Sequence, residues 1–117
     1  RYNFFMEHIL KGKAGEDKAC LFLMEQGYEI LERNYRSGRG EIDIITKTST
    51  CICFVEVKYR KHNKFGFPEV FVTDKKMQKI MQTAEAYVVE HNWNGRIRFD
   101  VIAITGTENP VHIMDVT

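Results

Sequence analysis

Asp43, Glu56 and Lys58 stand in the spacing Asp, twelve residues, Glu, one residue, Lys, and all three fall inside otherwise apolar stretches. Charges in such stretches need a physical reason, because burying one without a partner costs several kcal/mol. In a strand, side chains alternate between faces. The run Gly40-Glu-Ile-Asp-Ile-Ile45 therefore places Glu41, Asp43 and Ile45 on one face, with Ile42 and Ile44 on the other. Likewise Phe54, Glu56 and Lys58 share one face, against Val55, Val57 and Tyr59. If the two strands are neighbours, Asp43 and Glu56 lie side by side with Lys58 one pleat beyond. Glu16 joins them from a helix, since it shares a face with Ala19, Cys20 and Leu23.

Three carboxylates brought together raise one another's pKa unless a cation compensates. A hard divalent cation does so with oxygen ligands. Mg²⁺ (or Mn²⁺) uses one or two carboxylates, several waters and substrate phosphate. A lysine alongside would orient the attacking water and neutralise developing charge. That is the chemistry of metal-assisted phosphodiester hydrolysis. The plainer alternative is a pair of surface acids and an exposed Glu56–Lys58 ion pair worth about 0–1 kcal/mol.

The elements that position these residues follow from pattern. Phe5, Ile9, Gly12, Glu16, Ala19, Cys20 and Leu23 run down one face of a helix that Gly27 closes as a C-cap. Tyr28 to Tyr35 is strand-like, residues 36–40 form a turn, Glu41 to Thr46 alternates, and residues 48–50 turn a hairpin. Cys51 to Tyr59, rich in β-branched and aromatic residues, is a central strand. After a polar loop from Lys61 to Pro68, Thr73 caps a helix whose apolar face is Met77, Ile80, Met81, Ala84, Tyr87 and Val88. Arg98 to Ile104 and Val111 to Val116 are two further strands. The order α-β-β-β-α-β-β predicts one α/β domain over residues 1–117, a mixed sheet flanked by two helices.

Composition bounds the rest. The chain has 117 residues, 44% hydrophobic and 28% charged, with 17 Lys+Arg against 16 Asp+Glu. A net charge of +1 argues against coating nucleic acid by bulk charge, without excluding a local basic surface. No apolar run approaches the ~20 residues of a membrane span. Three cysteines, with Cys51 and Cys53 about 7 Å apart along one strand, suit reduced thiols in the cytoplasm and carry no zinc pattern. No signal peptide is expected at the start of the sequence.

The chain resembles the YraN-like family of predicted bacterial endonucleases, distant relatives of archaeal Holliday-junction resolvases in the PD-(D/E)XK, or restriction-endonuclease-like, superfamily. The resemblance lies in the ordered set Gly12-Lys-Ala-Gly-Glu-Asp-Lys-Ala19, Gly27 to Arg36, Gly40 to Ile45, Phe54 to Arg60, Phe65 to Pro68, Lys76 to Tyr87 and Arg98 to Ile102. It implies a restriction-endonuclease-like core. It also implies Glu16 as the acid of the first helix, supporting a second metal or the hydration shell. Asp43 would be the principal metal ligand and Glu56 the second, with the Val57 carbonyl completing the set and Lys58 as the catalytic lysine. One departure is Met77, where the family pattern often has Gln after the lysine matching Lys76. The superfamily includes members that bind without cutting, so a non-catalytic nucleic-acid-binding or scaffolding module stays open. So does a protein-interaction domain whose acids form structural ion pairs.

Basic residues cluster around these segments. Lys58 to Lys64 carries four cations and no acid, Arg33, Arg36 and Arg39 stud the first turn, and Lys75, Lys76 and Lys79 begin the second helix. Arg36, Arg39, Arg60 and Lys61 are expected to position phosphates, with Lys76 added by the family match. Nothing in the chain supplies a groove-reading helix, so structure-selective binding of double-stranded or branched DNA, with a steep salt dependence, is expected. A two-fold dimer and a monomeric nicking enzyme both fit. The four histidines are expected at the surface or in loops, Asp100 in a structural role, Trp93 as a packing anchor and Cys20 in the core.

Overall fold

A computed structural model describes residues 4–59, 72–106 and 109–117, with backbone alone for 4–12. The side chains of Phe5, Ile9 and Gly12, and the whole of the loop from Lys61 to Pro68 with Arg60 and His62, lie outside the described residues.

Seven elements follow in the expected order: α1 (Phe4–Glu25), β1 (Glu29–Ser37), β2 (Gly40–Thr48), β3 (Cys51–Tyr59), α2 (Asp74–Glu90), β4 (Arg96–Ile104) and β5 (Val111–Ile113). They form a single sheet in the order β1-β2-β3-β4-β5. Neighbours are antiparallel except β3 and β4, which are parallel. A parallel pair needs a crossover, and α2 is part of it.

Local chemistry explains the boundaries. Gly27 has φ 91°, and its N–H donates to the Met24 carbonyl while the Tyr28 N–H reaches back to Leu23, a Schellman cap on α1. Thr73 caps α2 by accepting from the Lys76 N–H. The predicted turn of residues 36–40 tightens to Gly38 and Arg39, because Ser37 and Gly40 still pair and Gly38 takes φ 58°. β4 starts two residues early, at Arg96. The predicted last strand stops at Ile113, since Asp115 takes φ 55° and sends its N–H to a side chain.

The sheet is covered on both faces. Ala19, Cys20 and Leu23 of α1 pack on Ile44, Cys51, Cys53, Val55, Ile102 and Ile104. Ile80, Ala84 and Tyr87 of α2 pack on Tyr35, Ile42, Ile45, Ile52, Phe54 and Phe99. Full burial on both faces explains the unbroken apolar start of β3. One predicted facing is corrected: Ile42 and Ile44 lie on opposite faces, and Ile42 shares the α2 face with Ile45. Asn34 of β1, at φ 53°, interrupts the pleat, so that Arg33 turns towards α1 and Tyr35 towards α2. Their register partners Ile44 and Ile42 change faces with them.

Asp100 is structural, as expected. Its side chain is fully buried and accepts from Arg98 (Nε 2.9 Å, Nη2 2.8 Å), from His112 Nε2 (2.8 Å) and from the Asp115 N–H (2.9 Å). His112 is thus corrected from a surface residue to a buried one, edge-on to Phe22 and Tyr28. Trp93 packs beside the α2 cluster, and its indole N–H donates to the Arg96 carbonyl. The three cysteines are buried and free; the sulfurs of Cys51 and Cys53 are 4.0 Å apart.

Burial alone would raise the Asp100 pKa, but the donors from His112, Arg98 and Asp115 prevail and hold it at about 2. A carboxylate whose folded pKa lies below its unfolded value of about 3.9 adds stability above that value and loses it as pH falls towards 2. Asp100→Asn is therefore expected to lower stability by about 3 kcal/mol at pH 7, having broken a buried charged network. Urea titrations should show the gap to wild type narrowing as pH is lowered from 4.5 towards 2.5.

Candidate functional site

The ladder between β2 and β3 ends at Ile44 and Val55. Beyond it the next bond is not backbone to backbone. The Val57 N–H donates to Asp43 Oδ2 at 2.8 Å, so a carboxylate takes the place of a rung. A strand residue carries its N–H and C=O on the same edge, which turns the Val57 carbonyl towards Asp43 as well. Glu56, next along β3, belongs to the α2 face by alternation from Phe54, and its side chain is 11% exposed.

Asp43 and Glu56 share a cleft of about 430 Å³ between the start of β2 and the N-terminal half of α2. Arg39 and Glu41 line its hairpin side, and Thr73, Lys75, Lys76, Lys79 and Ile80 its helix side. Lys76 Nζ stands 3.0 Å from Glu56 Oε1. Among the described residues no cation pairs with Asp43 in this way. Burial, then the charge of Glu56, push its pKa from 3.8 to about 7, against the lowering effect of the Val57 N–H. Glu16 and Glu41 add smaller pushes in the same direction. Asp43 thus feels acids from both faces, Glu56 on the α2 side and Glu16 from α1.

Glu16 itself is held by Arg33, whose Nη2 is 3.6 Å from Glu16 and 2.8 Å from Asp17. A Cβ added at the buried Gly15, beside it, would come into ordinary contact with Tyr59 and Ile104, so this turn of α1 lies against the ends of β3 and β4.

Of the residues expected at the site, Asp43, Glu56, Arg39 and Lys76 meet in the cleft, and Glu16 lies within electrostatic reach. Lys58 is half-buried one pleat beyond Glu56 and is not among the described residues lining the cleft. Arg36 is not among the described residues lining the cleft: it is 78% exposed and pairs at 2.8 Å with Glu41, which does line it, an interaction worth about 0–1 kcal/mol. Arg60 and Lys61 lie outside the described residues. Lys75 and Lys79 line the cleft although sequence singled them out only as a basic helix start. Lys79 follows Lys76 by three residues and Lys75 by four, and that helical spacing is the signal that could have placed it with them.

Fit to a divalent cation can be judged from the donors. Two carboxylates and a carbonyl oxygen are hard donors of the type such a cation takes, and among the described residues Asp43 lacks a cationic partner. Among the described residues no group of three or more His, Cys, Asp or Glu is arranged to hold a metal. Among the same residues no helix is long and apolar enough to cross a membrane.

Comparison with known proteins places this arrangement in a family. The model of Uncharacterised protein family UPF0102 matches residues 15–104, a span that contains Glu16, Asp43, Glu56 and Lys58. A UPF0102 protein of Cytophaga hutchinsonii is 67% identical over 112 residues, covering 96% of this chain and 99% of that protein. One from Sulfurihydrogenibium is 47% identical, covering 88% and 90%. One from Clostridioides difficile is also 47% identical, covering 94% and 98%. The chain belongs to the UPF0102 family, the YraN-like family that its ordered motifs resemble.

Proposed function

We propose that this protein is a metal-dependent endodeoxyribonuclease on a restriction-endonuclease-like fold, hydrolysing phosphodiester bonds in branched or junction DNA during repair or recombination. The observation that carries the reading is the cleft in which Asp43 and Glu56 lie side by side opposite a wall of lysines. Such a wall attracts a polyanion, and such a pair of acids attracts a divalent ion. Asp43, Glu56 and the Val57 carbonyl would hold Mg²⁺ or Mn²⁺. When bound, the ion would polarise the phosphoryl oxygen and make water a stronger nucleophile. The remaining roles belong to the chain. Lys58 holds a positive charge one pleat from Glu56, where it can orient water or steady charge developing on the phosphate. Arg33 keeps the Glu16 carboxylate in the field of Asp43. Arg39 and the α2 lysines bind the strand. Buried reduced thiols fit a cytoplasmic setting.

One observation favours a second reading, a nucleic-acid-binding or scaffolding module without chemistry. Glu56 already has a cation in Lys76, and a pair so neutralised can be an end in itself.

Divalent-dependent cleavage of four-way junction, flap, single-stranded and linear DNA separates the two. Wild type should cut a branched substrate, whereas Asp43→Asn and Glu56→Gln should lose about 10³-fold and Lys58→Ala about 10²-fold in rate. Binding of DNA by all four without any cutting would establish the module instead.

Stability gives an independent measurement. The folded pKa of Asp43 lies above its unfolded value, so the protein loses stability as pH rises from about 4 to 7, when Asp43 must ionise in the fold. In EDTA, Asp43→Asn should therefore unfold several degrees above wild type at pH 8 and level with it at pH 4. After allowance for the open cleft the gain is about 1–2 kcal/mol. Excess Mn²⁺ should reverse the order at pH 8, stabilising wild type by about 2.7 kcal/mol at a hundred times its Kd and leaving the variant unmoved.

A further inference from the structure

The acid cleft continues into a second groove. This one, of about 370 Å³, lies between the tip of the β1–β2 hairpin and the middle of α2. Arg39 and Lys79 line both, so the two concavities are contiguous. The second differs in chemistry: Ser37 and Arg39 line it from the hairpin, Lys79, Gln82 and Thr83 from the helix, and no acid among the described residues does.

Its walls are fixed by packing. Gly40 is buried, and a Cβ added there would collide with Thr83 Oγ1, so glycine lets the hairpin seat directly on α2. The Thr83 hydroxyl is committed to the Lys79 carbonyl at 2.8 Å. Arg39 therefore projects from a two-residue turn anchored to the helix that carries Lys79. Nearby cations are otherwise engaged, Lys76 with Glu56 and Arg36 with Glu41. Arg39 and Lys79 have no acidic partner among the described residues.

We propose that this groove is a subsite for a second phosphodiester of the same nucleic-acid strand, held between the Arg39 guanidinium and the Lys79 ammonium, beside the phosphate that enters the acid cleft. The proposal rests on the reading of that cleft as a phosphodiester-hydrolysing centre. An arginine fork matches two phosphate oxygens and a lysine adds a point charge. The Ser37 hydroxyl and Gln82 amide supply neutral donors. A strand approaching three or four acids needs cations not spent on those acids, and these two sit where the acids stop.

The test is fluorescence anisotropy of a labelled four-way junction and a labelled single strand in EDTA, where cleavage cannot intervene. Wild type is compared with Arg39→Ala, Lys79→Ala and, as a control at the far end of β2, Lys47→Ala. Arg39 and Lys79 are exposed, so both variants are expected to fold, which circular dichroism checks. Each phosphate contact contributes about 0.9 to the log–log salt slope on the duplex arms of the junction and about 0.7 on the single strand, or about eightfold and fivefold in affinity at 0.1 M salt. Arg39→Ala and Lys79→Ala should each lose about that much in both quantities, and Lys47→Ala in neither. Unchanged affinity and slope, equal loss in Lys47→Ala, or no binding by wild type would overturn the subsite. Displacement of the strand by inorganic phosphate beyond the effect of matched ionic strength would assign the groove to an isolated anion and overturn it too. The failures separate. A wild type that binds with these losses and cuts nothing removes hydrolysis and leaves the subsite. One that cuts, with KM unaltered in both variants, removes the subsite and leaves hydrolysis.

Discussion

The hydrogen bond from the Val57 N–H to Asp43 is the interaction around which the rest is arranged. A sheet ordinarily satisfies its backbone with backbone, and each buried group left unpaired costs about 1–3 kcal/mol. Here β2 leaves β3 after the Ile44–Val55 pair, and a side chain takes up the donor that β2 no longer serves. That single substitution of carboxylate for carbonyl places a negative charge between two diverging strands. It opens the space that becomes the cleft, and it brings Asp43 against the first charged residue of β3, Glu56.

The two helices then divide the labour by face. The odd residues of the first half of β3, Cys51, Cys53 and Val55, anchor α1, while Ile52 and Phe54 anchor α2. This half of the strand is dry on both sides. In the second half the same alternation continues with Glu56, Val57 and Lys58, beyond the reach of the apolar clusters except at Val57. One strand is thus core for half its length and site for the other half. The helices that cover the first half bring polar residues towards the second, α1 with Glu16 held by Arg33, α2 with Lys75, Lys76 and Lys79 from its N-terminal half.

Much of this was legible in the sequence because it rests on periodicity. The order of elements, the Gly27 and Thr73 caps and the extent of β3 are local properties, and so is the convergence of Asp43 and Glu56 from adjacent strands. What could not be read depends on a break in periodicity. Asn34 in the left-handed region gives no compositional sign that it will reverse the pleat, yet it turns Arg33 and Tyr35 to opposite faces. Arg33, Arg36 and Arg39 look like one basic cluster along the chain. The fold sends them to α1, to Glu41 and to the cleft. His112 gave no signal either, since its burial depends on Asp100, a partner twelve residues away on the neighbouring strand. The pairing of Lys76 with Glu56 joins two elements across the crossover, and helix periodicity alone does not reveal it.

Two partly or fully buried aspartates in one small sheet make the distinction between scaffold and site concrete. Asp100 is surrounded by Arg98, His112 and the Asp115 N–H and is held at about 2, an acid whose charge the fold has fully answered. Among the described residues Asp43 has one backbone donor and three acids around it, and it is pushed to about 7. A fold selected for stability alone would treat the second as it treats the first, since a guanidinium beside Asp43 would remove the penalty. The arginine nearest in sequence register, Arg33, is turned to Glu16 and Asp17 instead. Among the described residues no cation answers this carboxylate, and a proton or a cation would relieve it. Perturbed acids of this kind concentrate where proteins bind ions and do chemistry. The contrast within one sheet therefore sets Asp43, whose charge the described residues leave unanswered at the cleft, apart from Asp100, the strut.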